Sequence, residues 1–295
     1  MSILCIGQAV YDITFPLEEA IVENQKYRIY DRHECMGAPA ANAAYLCGLW
    51  GLETSLIARV GADLFGKEIL RTLKKVGVKT TGIRQEKNQK TSISSIIVNK
   101  KNGHRTILNA PLQEDYFEPA WPEKAPKVIL LDGHEKEVSL AGLQQYPQAI
   151  SMIDAGTYKL ECHELFETVD YLVCSQDFAF QYTGVTVDLT KQETLEATFK
   201  KLSELNPNQV VVTLGEQGSI YFKDGTIKHT PAFPSKTVDT TGAGDIFHGA
   251  FAYGLHEKLP LAEIIRLASA AAALSVEKLG GQTSIPTLKE VQNLL

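Results

Sequence analysis

Apolar residues fall along this chain in two alternating rhythms. Ile3–Gly7 (ILCIG), Val128–Leu131, Ile150–Ile153, Tyr171–Cys174 and Val210–Thr213 are short unbroken apolar runs, and Thr54–Val60 is rich in β-formers. Their length suits buried strands. Between them the apolar positions recur at helical spacing. Pro39–Trp50 is alanine-rich and stopped by Gly51, while Leu64–Val76 is amphipathic and stopped by Gly77. Further helices are expected near Glu161–Glu167, Thr194–Leu205, Ala243–His256 and Leu261–Leu279. Strands that are apolar on both faces need cover on both, so the alternation predicts an α/β fold: a mostly parallel central sheet flanked by helices.

Two early β-rich segments interrupt this rhythm. The first follows Asp12 and leads to Tyr27–His33 (YRIYDRH), whose alternation predicts an exposed strand. The second holds Thr91–Val98 and Arg105–Leu108, joined at Lys100-Lys101-Asn102-Gly103, where Asn-Gly is a strong turn signal. Together they predict a small second sheet protruding from the main body. A chain of 295 residues allows one large α/β domain or two ordinary ones. With no low-complexity linker and no repeat, residues 1–295 read as a single domain, with segments of about 12–33 and 91–108 inserted in it.

Composition narrows the partners. The 44% hydrophobic and 22% charged content is that of a soluble globular protein. A net charge of −6 argues against a nucleic-acid or anionic-membrane surface, and leaves room for a small anion held in a local pocket. No apolar run reaches the roughly 18–20 residues that span a bilayer. The start MSILCIGQAVYD shows no basic stretch or cleavage pattern, so a cytoplasmic location is expected. The five cysteines form no CxxC pair and the histidines no HExxH, which predicts reduced, buried thiols and no zinc site.

The chemistry concentrates at Val238–Gly249 (VDTTGAGDIFHG). Small residues at Gly242, Ala243 and Gly244 let the backbone approach a ligand closely, and the exposed N–H groups of a helix start favour an anion. Asp245, in the first turn, is favoured by the helix dipole. Phosphoryl transfer needs this pairing: donors on the moving phosphate, and a carboxylate to take the proton of the attacking hydroxyl. The plain alternative is a tight turn with an acidic first helical residue. A dinucleotide site is excluded at the first strand, because Gly7 is followed by Gln8-Ala9-Val10 rather than by the expected glycines.

Asp239–Asp245 (DTTGAGD) resembles the C-terminal signature of the ribokinase-like (PfkB) carbohydrate kinases. Gly37–Gly51 (GAPAANAAYLCGLWG) resembles their sugar-binding signature, and Val60–Val78 and Val211–Gly218 (VVTLGEQG) match further landmarks in the same order. The resemblance implies a ribokinase-like fold, with the two inserted segments forming a β-sheet lid that pairs two subunits into a homodimer. It implies ATP and Mg2+ as cofactors and a small-molecule sugar as substrate. Asp245 becomes the base, and Gly242, Ala243 and Gly244 the anion hole. Asp12 and Asn42 would hold sugar hydroxyls, with Gly37 against the ring. Thr213, Gly215 and Gly218 match the nucleotide-side loop, although a turn alone accounts for those glycines. Asp239, Thr241, Gly280 and Ser284 match positions that hold a monovalent cation such as K+. In one departure, Ser175 and Phe178 stand where many members carry the Asn and Glu that organise magnesium, with Asp177 a neighbouring carboxylate.

Within the family, DTTGAGDIFHGA, Arg105–Pro111 (RTILNAP) and Gln25–Arg28 (QKYR) resemble the sulfofructose kinase branch and related ketose kinases. Lys26 and Asn109 match two of that branch's three sulfonate ligands, and His134 stands where its arginine does. A histidine lacks the permanent charge of a guanidinium. The expected acceptor is therefore a primary hydroxyl of a ketose-like sugar, with neutral ketohexoses, phosphorylated ketoses and pentoses all open. A nucleoside kinase of the same fold and an inactive sugar or nucleotide sensor are the competing readings.

Overall fold

The computed structural model describes residues 2–101, 104–113 and 116–295. Asn102 and Gly103, the expected turn, lie outside the described residues. Its strands are β1 (Ser2–Ile6), β2 (Val10–Leu17), β3 (His33–Gly37), β4 (Glu53–Gly61), β5 (Ile83–Glu86), β6 (Ile93–Asn99) and β7 (Arg105–Ala110), then β8 (Val128–Leu131), β9 (Ile150–Ala155), β10 (Tyr171–Ser175), β11 (Gln209–Thr213), β12 (Ser219–Lys223) and β13 (Thr226–Thr230). The helices are α1 (Pro39–Leu49), α2 (Leu64–Lys75), α3 (Lys136–Gln145), α4 (His163–Thr168), α5 (Gln176–Thr183), α6 (Gln192–Leu205), α7 (Ala243–His256), α8 (Leu261–Ser275) and α9 (Leu288–Leu294).

Among the described residues the large sheet runs β13-β12-β11-β10-β9-β8-β1-β4-β5. It is parallel from β11 to β5, and β12 and β13 are antiparallel additions at one edge. Alternate residues of β1 serve opposite faces. Ile3 and Cys5 join one buried cluster with residues of α1, α7 and α8, whereas Leu4 and Ile6 join the other with residues of α4, α5 and α6. That is why the strands read as unbroken apolar runs. All five cysteines are free and buried.

The chain order reverses at β1, which pairs with β4 on one side and β8 on the other. In open α/β sheets the crevice beyond such a reversal is where ligands bind. From that end of β1 the chain passes directly into β2 and the second sheet, ordered β3-β2-β6-β7, with β2 and β6 parallel and the other pairs antiparallel.

The expected strand at Tyr27–His33 is not formed; the pairing begins at His33 and runs to Gly37. Residues 18–32 are almost all exposed, so their alternation buries no face, whereas Cys35, Met36 and Gly37 are buried against β2. The last long helix stops at Ser275 rather than Leu279, where the Ser275 hydroxyl donates back to Ala272 O. Helices α3, α5 and α9 and strands β5, β12 and β13 add to the elements expected from the pattern. Among the described residues no helix is long and apolar enough to cross a membrane.

Candidate active site

The start of α7 is fixed from below. The Asp239 carboxylate, almost fully buried, accepts from Thr241 N and Gly280 N, both at 2.9 Å. This ties the two halves of the DTTGAGD loop to the Gly280–Ser284 loop. Gly242 caps α7 with φ 75°, in the left-handed region, and a Cβ there would lie 2.9 Å from Gly281 Cα. A larger residue would push the loops apart. Gly244 is exposed, and a Cβ on it would meet nothing within 4 Å. Ala243 N–H is turned onto Thr240 O at 3.3 Å, and the open space beside Gly244 leaves room for an anion at this helix start, where the partial positive charge of the first turn favours one.

Asp245 lies on this turn. Asn42, in the buried face of α1, donates from Nδ2 to Asp245 Oδ2 at 2.7 Å. Burial, reinforced by the charge of Asp154, raises the Asp245 carboxyl to about 6, against the lowering effect of Asn42, His248 and Arg105. A carboxyl poised there is ionised at neutral pH and still basic enough to accept a proton.

Asp12, on β2, is buried and lies directly over Gly37. A Cβ at Gly37 would fall 1.8 Å from Asp12 Oδ2, so only glycine fits beneath that carboxylate. Burial pushes the Asp12 carboxyl up to about 7; a hydrogen bond with Ser94 opposes the shift, and the charges of Asp245 and Asp239 add to it. Asn109 of β7 donates to the same Ser94 hydroxyl at 3.1 Å. Asn42 Oδ1 is buried and has no hydrogen-bond partner among the described residues. Two acceptors, Asp12 and Asn42 Oδ1, thus stand beside a carboxylate base, in the arrangement a polyhydroxylated ligand would satisfy.

The remaining expected residues spread around this centre. His134 follows β8, where Asp132 Oδ1 lies 3.3 Å from its Nδ1 and accepts from its backbone N–H. Asp132 also accepts from Ala40 N at the head of α1. Lys26 is exposed on the irregular stretch between β2 and β3. Beyond β11, the Thr213 hydroxyl donates to Cys174 O at 3.3 Å. Gly215 and Gly218 both have positive φ; a Cβ at Gly218 would lie 2.1 Å from Thr230 O, whereas Gly215 faces open space. Turn geometry thus accounts for Gly218, while Gly215 leaves the loop clear. In the Gly280–Ser284 loop, the Ser284 hydroxyl donates to Gly281 O; in the glycine loop, the buried Thr241 hydroxyl has no partner among the described residues.

Four residues near the site carry no sequence-level expectation. Arg105, on β7, donates from its guanidinium to the Thr240 hydroxyl at 2.5 Å and so links the second sheet to the glycine loop. His33, on β3, meets the Thr283 hydroxyl at 2.6 Å. His248, four residues after Gly244, packs against Asp154. Ala38 holds φ 84° and ψ 151° at the head of α1. Arg105 stood in a string already noticed, RTILNAP, but nothing local marks its partner. The Ala38 conformation leaves no trace in residue type.

The model of the pfkB family carbohydrate kinases matches residues 1–288. A ribokinase of Lactococcus lactis subsp. lactis (strain IL1403) is 31% identical over 263 residues, covering 87% of this chain and 84% of that protein. A deoxyribokinase of Salmonella typhi is 26% identical over 317 residues, covering 100% and 99%. Among solved structures, Arabidopsis thaliana ribokinase complexed with ribose and ATP superposes with a TM-score of 0.82 at 25% identity, covering 99% of this chain and 98% of that one.

Proposed function

The chain belongs to the pfkB family of carbohydrate kinases, and from that we propose that it moves the γ-phosphate of ATP onto a primary hydroxyl of a ketose-like or pentose sugar, with Asp245 as the base. The observation that carries the reading is the contact between Asn42 and Asp245 beside the open N-terminus of α7. A hydroxyl held by Asp12 and Asn42 would then sit next to both the proton acceptor and the anion cradle.

In this mechanism Asp245 takes the hydroxyl proton as the sugar oxygen attacks the γ-phosphorus. The bond to the β-phosphate oxygen breaks, and ADP leaves with its electron pair. The amides at Gly242, Ala243 and Gly244 hold the phosphoryl oxygens as charge spreads over them. Thr213, Gly215 and Gly218 border the nucleotide. Closure of the second sheet, with Arg105 reaching the loop at Thr240, would exclude water that otherwise competes for the phosphate.

The cation loop fits a monovalent ion such as K+: Asp239 is a buried carboxylate, and Thr241 Oγ1 is a buried oxygen without a partner among the described residues. Magnesium supplies charge neutralisation to ATP when bound. The residues at the family's Asn-x-x-Glu positions do not fit that ion. Ser175 caps α5 by accepting from Phe178 N, and Phe178 is buried edge-on against Phe166. Asp177, in the first turn of α5, is exposed. We assign no step to a magnesium ligand in this chain.

A neutral acceptor suits the sugar side better than a sulfonated one. The Asp132 carboxylate faces His134, Asn109 is engaged with Ser94, and Lys26 is exposed. The edge strand β7 exposes Ile107 and Leu108, which favours pairing of two copies through the second sheet in the cytoplasm. Release of ADP over a panel of pentoses, ketohexoses, their phosphates, a sulfonated ketose and nucleosides tests the assignment. Turnover confined to nucleosides would sink it, and full turnover in Asp245→Asn would remove the base.

A further inference from the structure

His248 is enclosed by oxygen atoms. Its Nδ1 lies 2.6 Å from Gly244 O and 3.1 Å from Asp154 Oδ2, and its Nε2 lies 3.0 Å from Val173 O. The side chain is almost wholly buried, as is that of Asp154. A neutral imidazole donates from one nitrogen only, so either tautomer would leave a ring lone pair facing a carbonyl oxygen. A protonated ring donates from both nitrogens and pairs with the carboxylate.

We propose that His248 is a positioning residue for the phosphoryl-transfer turn: held as an imidazolium by Asp154, Gly244 and Val173, it fixes the Gly244–Asp245 peptide and offsets the negative charge of Asp154 beside Asp245. The proposal rests on the reading of Asp245 as the base. Gly244 O belongs to the peptide that leads into Asp245, so a donor on that oxygen fixes the peptide plane at the head of α7. Asp154 by itself disfavours the ionised form of Asp245, and His248 opposes it. Although burial works against the charge, Asp154 and the two carbonyls raise the imidazolium to about 9. The ring contacts and this shift both favour the charged ring at neutral pH.

Other groups also act on Asp245. Asp154 faces it from β9, His248 from α7, Asn42 from α1 and Arg105 from β7, while Asp12 on β2 is raised by its charge. His248 touches both Asp154 and the glycine turn. Loss of the ring would leave Asp154 without its counter-ion and would raise Asp245 by two routes at once.

The test compares kcat against pH for the wild type, His248→Gln and the double variant His248→Gln/Asp154→Asn. For His248→Gln the acidic limb is expected to move up by roughly half a unit to one unit. Turnover at neutral pH should fall about tenfold, with KM for ATP changed less than about threefold. The double variant, lacking the uncompensated carboxylate, should bring the limb back toward the wild-type position. A limb unmoved in a cooperatively folded His248→Gln, or left as high in the double variant, overturns the electrostatic role. In parallel, 15N imidazole resonances of the wild type, assigned through the variant, should show His248 doubly protonated at pH 8; a neutral tautomer there overturns the proposal. That readout does not depend on catalysis. Full turnover in Asp245→Asn would refute the base while leaving the protonation state of His248 measurable.

Discussion

Asn42 Nδ2 donates to Asp245 Oδ2 at 2.7 Å across 203 positions of sequence. The bond joins the head of α1 to the head of α7, which also pack closely at Gly249 against Ala43. It stabilises the ionised form of Asp245, and a hydrogen bond to a charged group contributes about 1.5–3 kcal/mol. Asn42→Ala should therefore lower turnover by roughly 10- to 100-fold and move the acidic limb of kcat upward from about 6. A pH series of initial rates reads both. A limb that stays in place would detach Asn42 from the ionisation of the base.

Asp12 titrates above Asp245, and the charge of Asp245 is one of the causes that raise it. The Asp12 carboxyl is raised to about 7, first by burial, so it protonates as pH falls through neutrality, losing acceptor capacity toward sugar hydroxyls. KM for the sugar should accordingly rise by roughly tenfold between pH 8 and pH 6, as the ionised fraction drops. The effect belongs to the sugar and not to ATP. Asp12→Asn should have weaker sugar binding at every pH and little dependence on it. A wild-type sugar KM that is flat across this range would separate Asp12 from the substrate.

Stability carries the same charges with distinguishable signs. Asp12 and Asp245 have folded values raised above an ordinary carboxylate, so ionising them destabilises the fold as pH rises from about 4 through 6 and 7. His248 is raised from 6.5 to about 9, so its contribution is fully present below 6.5 and lost as pH rises through 9. The thermal midpoint should then keep falling between about pH 8 and pH 9.5, where both carboxyls are almost fully ionised. In His248→Gln that upper decline should be shallower but not abolished, because burial also raises the thiols of Cys5, Cys35, Cys47 and Cys174, whose ionisation in the unfolded chain lowers stability over the same range; calorimetry at stepped pH reads the difference.

The central sheet was legible because its strands are covered on both faces and read as unbroken apolar runs. The glycine turn was legible because its backbone demands small residues: Gly242 has φ 75° and packs against Gly281. What escaped depends on tertiary partners. Tyr27–His33 alternates like a strand, yet most of the stretch leading to His33 is exposed, and β2 pairs instead with Cys35 and its neighbours. His248 reads as one more residue of an apolar helix until β9 brings Asp154 against it. Helix α3 has only Val138, Ser139 and Gly142 buried, too few to stamp a helical period on the sequence.

Arg105 spans 135 positions to reach the Thr240 hydroxyl, and its charge lowers the Asp245 carboxyl. It is an exposed cation on the second sheet, so its reach is felt only when that sheet lies over the turn. Arg105→Ala should reduce turnover about five- to twentyfold, while Arg105→Lys, which keeps the charge but not the planar fork, should recover only part of it. Raising the ionic strength should narrow the gap between wild type and Arg105→Ala, because an exposed charge is screened by salt. Equal turnover in all three proteins would leave the contact without a catalytic consequence.

Ala38 adopts φ 84° and ψ 151°, a region of backbone space occupied almost only by glycine and costing a side chain about 1–3 kcal/mol. The position is caught between two demands. Gly37 has to lie under Asp12, and Ala38 O has to accept from Asn42 N at 2.9 Å so that α1 begins where Asn42 faces Asp245. Both demands fix the backbone and neither requires the Ala38 methyl. Ala38→Gly should relieve the strain and give back part of the gain through the greater freedom of glycine in the unfolded chain. A net stabilisation of about 1 kcal/mol is expected, visible as a rise of about 2 °C in Tm. A fall in Tm would mean that the methyl packs more favourably than its backbone is strained, and the head of α1 would then be held by that contact and not by the loops around it.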